Sequence, residues 1–207
     1  TGHNEAGEPY VLYHWNCVSA AGAVAERDGF HQIGLIGALG GLTIPNVEAY
    51  ERLYPIRVNR HEIRCDSAGP GEQRGGAGVE YEAELDGDVV QSFRSEGLSH
   101  GAAYGTNGGG DGLNAEISVV SSGHRVNDLP RYGKRSLVNP KISVRSAGGG
   151  GWGDPRRRDP TKVARDVLDG IVSATAAHDL YGVAVDANGA LDIIKTSQLR
   201  DGSGPST

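Results

Sequence analysis

Residues 148–160 read Gly148-Gly149-Gly150-Gly151-Trp152-Gly153-Asp154-Pro155-Arg156-Arg157-Arg158-Asp159-Pro160, five glycines around one tryptophan and three arginines between two prolines. A phosphate-binding loop would need a lysine and a hydroxyl directly after the glycines, where Asp154-Pro155 stand. A dinucleotide fingerprint would need the glycines themselves to open a helix. Here the first helix signal is Pro160 preceded by Asp159. What remains is architecture: glycines that adopt φ > 0 and admit close backbone approach, with Asp154 and Asp159 capping turns and pairing with Arg156 to Arg158. The arginine run reads as a solvated edge or as part of a partner interface, where arginine is favoured.

C-terminal to this stretch the pattern is helical. Val163, Val167 and Leu168 recur at helical spacing up to Gly170, and Ser173 caps a second helix through Ala177 and Leu180 that ends at Gly182. Val183 to Val185 reads as a short strand, residues 186–189 as a turn, Leu191 to Leu199 as a last helix, and 201–207 as a disordered tail. N-terminal to it the pattern is β. Residues 10–15 (YVLYHW) read as a strand, and the alternation in Ile56 to Cys65 slips near Asn59 to His61, which predicts a bulge. In Val79-Glu80-Tyr81-Glu82-Ala83-Glu84-Leu85 one face is core and the other wet. Asp86-Gly87-Asp88 predicts a hairpin into Val89 to Arg94. Residues 115–121 and 141–146 add strands, and 66–76 and 105–112 are glycine-rich loops. The fold class is therefore α+β: one domain over 1–200, β-rich over 1–150 with long Gly-rich loops, and helical over 160–200.

Composition excludes several partners. Glycine supplies 33 of 207 residues without a Gly-X-Y period, so many tight turns are expected inside a folded chain. A formal charge of −6 opposes attraction to phosphate backbones, which argues against nucleic acid. The apolar run Ile33 to Leu42 is too short and glycine-rich to span a bilayer. Cys17 and Cys65 form neither a disulfide framework nor a zinc spacing, which fits a reduced, cytoplasmic setting.

The seven histidines carry no metal motif, although a site assembled through space, such as His14 with His31 and Asp28, stays open. Ser67 and Ser99 lack a nucleophile-elbow context. Asp66 and Arg74 stand where strands meet the loop at 66–76. They can pair and pin that loop, or Arg74 can bind a substrate carboxylate or face another subunit. With Asp154 they are the candidate substrate or interface residues, and no residue is assigned as a metal ligand.

Several segments together resemble the hydantoinase B/oxoprolinase family: Pro45-Asn46-Val47-Glu48-Ala49-Tyr50-Glu51 leading to Tyr54-Pro55; Arg64-Cys65-Asp66-Ser67-Ala68-Gly69-Pro70-Gly71 followed by Arg74-Gly75-Gly76-Ala77-Gly78; and the 148–160 segment with Val163, Asp166-Val167, Gly170, Val172-Ser173 and Tyr181-Gly182-Val183. The resemblance covers nearly the whole chain and corresponds to the C-terminal third of a B-type subunit. It departs in detail at Cys65, Ala68 and Trp152. The resemblance implies a component of a heteromeric enzyme: a hydantoinase, 5-oxoprolinase or lactamase acting on a cyclic amide, or an ATP-dependent acetone- or acetophenone-type carboxylase. It also implies that a divalent metal belongs to the N-terminal B-type portion and ATP to an A-type subunit, with no cofactor bound by this chain. A purely structural module of such a complex is the remaining expectation.

Overall fold

The computed structural model describes residues 1–33, 44–95, 97–98 and 103–201. Most of the apolar run 33–42, together with Ser99, His100 and the tail beyond Asp201, lies outside them.

The Val79–Leu85 strand (β4) sets the architecture. Val79, Tyr81, Ala83 and Leu85 are buried, while Glu80, Glu82 and Glu84 face the other way. There they meet the basic residues of the flanking strands: Arg60 Nη1 lies 2.7 Å and Arg145 Nε 3.2 Å from Glu80, and Lys141 Nζ 2.8 Å from Glu82. These ladders are exposed and screened by water, so they contribute little to stability. The buried row carries the energy.

Numbering the remaining strands in chain order gives β1 (Gly2–His3), β2 (Pro9–Tyr10), β3 (Ile56–Ile63), β5 (Asp88–Arg94), β6 (Glu116–Ser121), β7 (His124–Arg125), β8 (Tyr132–Val138) and β9 (Lys141–Arg145). Among the described residues they form two antiparallel sheets, ordered β2-β1-β5-β8 and β3-β4-β9-β6-β7. The predicted bulge is present as a register shift between Val58 and Arg60. Ile56, Tyr81, Leu85, Val119 and Ile142 of one sheet pack against Val89, Phe93 and Leu137 of the other, with Tyr50 from helix α1 (Val47–Leu53).

The Asp86-Gly87 turn corrects the hairpin expectation, because β4 and β5 belong to different sheets. Opposite it Asn139-Pro140 links β8 to β9, so two paired strands cross from one sheet to the other together. Across that corner residues 85–87 oppose 139–140, since Glu84 pairs with Lys141 and Asp88 with Val138. The extra residue bends the ribbon, as a bulge does. Gly87 at φ 81° donates its N–H to Asn139 Oδ1, and Asn139 N–H donates back to Gly87 O.

Residues 10–15 are not one strand: only Tyr10 belongs to β2, and Trp15–Cys17 form a 3-10 turn. The helical end is α2 (Pro160–Leu168), α3 (Ala174–Tyr181) and α4 (Ile193–Arg200). Asp159, Ser173 and Asp192 accept from N–H groups of the first turns, and Gly182 closes α3 at φ 62°. Val183–Val185 is no strand; Val185 makes a single bridge with Leu191. Val163, Ile171, Val172, Ala177, Tyr181 and Val183 form a second core beneath Ala77.

Candidate functional site

Glycines 148–151 run along the axis of a bundle of extended chains. Gly148 N–H donates to Leu113 O, Gly149 N–H to Gly76 O, Gly150 O accepts from Ala23, Gly151 N–H donates to Gly110 O, and Trp152 N–H to Gln73 O. Successive residues thus bond to a different neighbour, and the neighbours repeat every third residue: 103–113, 67–76, 20–24, then again. That is the three-residue turn of a polyproline II-type helix, here hydrogen-bonded on all sides by other chains. The expected φ > 0 applies within the stretch only to Gly153, at 75°. Glycines 148–151 are required for close approach instead: a Cβ at Gly149 would overlap the Ala21 carbonyl, and one at Gly151 would come within 2.6 Å of Pro70 C. The N–H groups of Gly148, Gly149 and Gly151 are taken by main-chain carbonyls, so the run does not offer the converging free N–H groups of a phosphate cradle.

One arginine pins this bundle to the helical end. Arg158 is 1% exposed, unlike Arg156 and Arg157, which corrects the reading of the whole run as a solvated edge. All five of its N–H groups are used. Nη1 and Nη2 each lie 2.7 Å from an Asp28 oxygen, Nη1 also reaches Glu72 O at 3.2 Å, and Nη2 and Nε meet Asp166 Oδ2 at 2.8 and 3.2 Å. Arg74 completes the network, donating from Nε to Asp166 Oδ1 at 2.9 Å, from Nη1 to Gly75 O, and from its main-chain N–H to Asp28 Oδ1. Burial alone would raise the Asp28 carboxyl, but the Arg158 hydrogen bonds and charge, with Arg74, outweigh it and hold it below the usual range. Burial likewise opposes the Arg158 charge, and the two aspartates reverse that and raise its pKa. Alternating charges, with all five Arg158 donors used, form a structural hub.

The sequence candidates are dispersed around this hub. Asp66 does not pair with Arg74: at φ 57° it accepts from Ser173 N–H at 2.7 Å, while its own N–H donates to Ile171 O, fastening the 66–76 loop to α3. Asp154 is exposed and accepts from Arg156 N–H at 2.9 Å, capping the 3-10 turn Pro155–Arg157. The nearest carboxylate to Arg157 is Glu72, at 3.4 Å, and Arg156 donates to Leu199 O, so neither pairs with Asp154 or Asp159. Ser67 is fully buried between Arg64 O and Gly78 N–H.

The His14, His31 and Asp28 set separates. His31 Nδ1 accepts from Ala77 N–H beside the hub, whereas His14 Nδ1 lies 3.1 Å from the Tyr81 hydroxyl between the sheets. Burial pushes the His14 imidazole down to about 4. Among the described residues no three His, Cys, Asp or Glu side chains come together as a metal-binding group, so the residues in hand do not fit a divalent ion. Among them, too, no helix is long and apolar enough to cross a membrane.

The chain is similar to known proteins over most of its length. The family model for hydantoinase B/oxoprolinase matches residues 1–155. The beta chain of the caprolactamase of Pseudomonas jessenii is 32% identical over 205 residues, covering 95% of this chain and 35% of the relative. The B-type chain of a D-/L-hydantoinase of Pseudomonas sp. (strain NS671) is 32% identical over 95% of this chain and 33% of its own length. The delta chain of the acetophenone carboxylase of Aromatoleum aromaticum is 28% identical over 96% and 34%. The chain therefore spans about a third of the length of these curated relatives. Among solved structures, an ATP-dependent caprolactamase from P. jessenii superposes with a TM-score of 0.68 at 29% identity over 89% of this chain and 33% of the other. A nucleotide-free acetone carboxylase superposes with a TM-score of 0.74 over 98% and 32%, a likeness of fold at 22% identity.

Proposed function

Because the chain belongs to the hydantoinase B/oxoprolinase family, we propose that it is one component of a heteromeric enzyme that opens cyclic amides with consumption of ATP. In this reading it completes a longer B-type portion that carries a divalent metal, and the nucleotide is held by an A-type subunit. Its own contribution is shape: the glycine bundle and the Arg158 hub give a rigid wall that closes a site whose acid–base and metal chemistry reside elsewhere. Asp66 and Arg74 hold that wall, and Asp154, exposed at its corner, is the interface candidate. The observation that carries the reading is coverage: 95% of this chain aligns with a third of a caprolactamase or hydantoinase chain. A second reading, carboxylation of a ketone, is supported by the equally complete match to an acetophenone carboxylase chain.

Reconstitution separates these. The chain is mixed with the remaining B-type portion and an A-type subunit, and ATP consumption is followed with caprolactam, hydantoin or 5-oxoproline, then with acetone or acetophenone plus bicarbonate. The expected result is amide opening only by the full mixture. Ketone-dependent ATP use selects the second reading, and amide opening by the 207-residue chain alone overturns the division of labour.

A further inference from the structure

The chain contains two Asn-Gly pairs, Asn107-Gly108 and Asn188-Gly189, and the fold holds them differently. In water the carboxamide carbon of an asparagine is open to attack by the main-chain nitrogen of the next residue, and glycine, with no side chain, shields that nitrogen least. The nitrogen must first face the carboxamide carbon, which needs an asparagine ψ near about −120°, the value at the first central residue of a type II′ turn. Residues 106–109 form the related type I′ turn: Asn107 and Gly108 have φ 53° and 91°, and Gly109 N–H donates to Thr106 O at 2.9 Å. A flip of the central peptide plane interconverts the two types, carrying that ψ from about +30° to about −120° while the closing hydrogen bond stays. Among the described residues, neither the Asn107 carbonyl nor the Gly108 N–H has a hydrogen-bond partner to oppose the flip, and both residues are exposed. The flanks are fixed, since Thr106 N–H donates to Gly151 O, Gly153 N–H to Thr106 O and Gly110 N–H to Pro70 O. The flipped form asks of Asn107 a conformation that only glycine holds comfortably, so it is visited and not kept. At the other pair the same flip is opposed. Gly189 N–H donates to Asp186 O at 3.0 Å, Asn188 and Ala190 N–H both donate to Asp186 Oδ1, and Gly189 is buried against Leu168.

We propose that Asn107 is a site of spontaneous deamidation, with water as the co-reactant, and that the fold protects Asn188. The Gly108 nitrogen loses its proton to base and bonds to Asn107 Cγ; the Cγ–Nδ2 bond breaks, ammonia leaves and a cyclic imide remains. Water then opens the ring at either carbonyl, giving aspartate or, with the main chain rerouted through the side chain, isoaspartate. Nothing is oxidised or reduced. A carboxylate replaces a neutral amide, so the formal charge of −6 becomes more negative by one unit. The change falls beside the corner where Asp154 stands, because a Cβ on Gly108 would lie 3.8 Å from Asp154 N. Isoaspartate also lengthens the backbone by one carbon within a turn whose Thr106 is bonded to both Gly151 and Gly153, so the corner changes in shape as well as in charge.

The test incubates the full chain in mildly alkaline buffer made with heavy-oxygen water, folded and in urea, and locates the label by peptide mass spectrometry. In urea the two pairs should take up label at similar rates, since the reacting residues are the same. In the folded chain Asn107 should label about tenfold faster than Asn188, the factor that breaking one further hydrogen bond is worth. Hydrogen exchange reads the route independently: the Gly108 amide should exchange freely while those of Thr106, Gly109 and Gly110 stay protected. Equal labelling of the two pairs in the folded chain, faster labelling of Asn188, no label at Asn107 while the urea sample reacts, or exchange of 105–110 as one unit overturns the proposal.

Discussion

Replacing Gly149 by alanine tests whether close approach, rather than backbone freedom, accounts for the glycine run. The new Cβ would overlap the Ala21 carbonyl and lie 2.7 Å from Gly22 N. Ordinary non-bonded separations are about 3.5–4 Å, so segments 20–23 and 147–150 must part by at least about 1 Å. They are joined on either side of Gly149 by Ala20 N–H to Ala147 O at 3.1 Å and Ala23 N–H to Gly150 O at 2.8 Å. Opening by that amount carries both beyond hydrogen-bond length. Two buried pairs left unmade, at about 1–3 kcal/mol each, predict a loss of about 2–6 kcal/mol, a large part of the stability of an ordinary domain. Gly87→Ala is the control. Gly87 has φ 81° and open space around it, so alanine there meets only the left-handed penalty of about 1–2 kcal/mol. Urea unfolding of both variants, at equal m-values, gives the comparison. A Gly149→Ala chain no less stable than Gly87→Ala would refute the close-approach explanation.

Two further outcomes follow from the buried polar groups. Arg158→Ala leaves Arg74 as the one remaining cation beside the Asp28 and Asp166 carboxylates and should cost about 3–5 kcal/mol, nearly independent of salt, in thermal melts at low and high ionic strength; a loss below about 1 kcal/mol, or one that salt abolishes, contradicts the hub. His14 titrates lower in the folded chain than in the unfolded one, so the unfolded chain takes up its proton first as pH falls. Its contribution is full above about 6.5 and is lost towards pH 4, by up to about 3 kcal/mol, and His14→Gln should flatten the stability profile in that window; an unchanged profile sinks the assignment.

Much of the fold was legible where local chemistry and tertiary demand agree. The alternation in Val79–Leu85, the bulge beside Asn59, and the caps at Asp159, Ser173 and Gly182 are set by period, donor geometry and handedness over a few residues. The reading failed where a distant partner decides. Asp86-Gly87 has hairpin chemistry, yet β4 takes β3 and β9 as neighbours and β5 takes β1 and β8, so a good turn became a corner between sheets. Strand β8 gave no signal because only Leu137 of Tyr132–Val138 is buried. YVLYHW gave a false one: its aromatic and branched residues fit a strand, but the chain turns at Trp15–Cys17.

The hub shows where the sequence held a usable signal that the spacing of motifs did not expose. On α2, Asp166 sits three residues after Val163, on the stripe that packs into the second core, and is itself 5% exposed. A carboxylate on an apolar stripe is too costly to bury alone, so a cation had to face it. Three adjacent arginines were on offer. Pro155 opens a 3-10 turn and Pro160 opens α2, which leaves Arg158 as the junction residue between them, and only there does the side chain reach both Asp166, eight residues on, and Asp28, 130 residues back. The need for an arginine was therefore written locally, while its second aspartate was fixed only when the glycine bundle brought the 24–30 turn against residue 158.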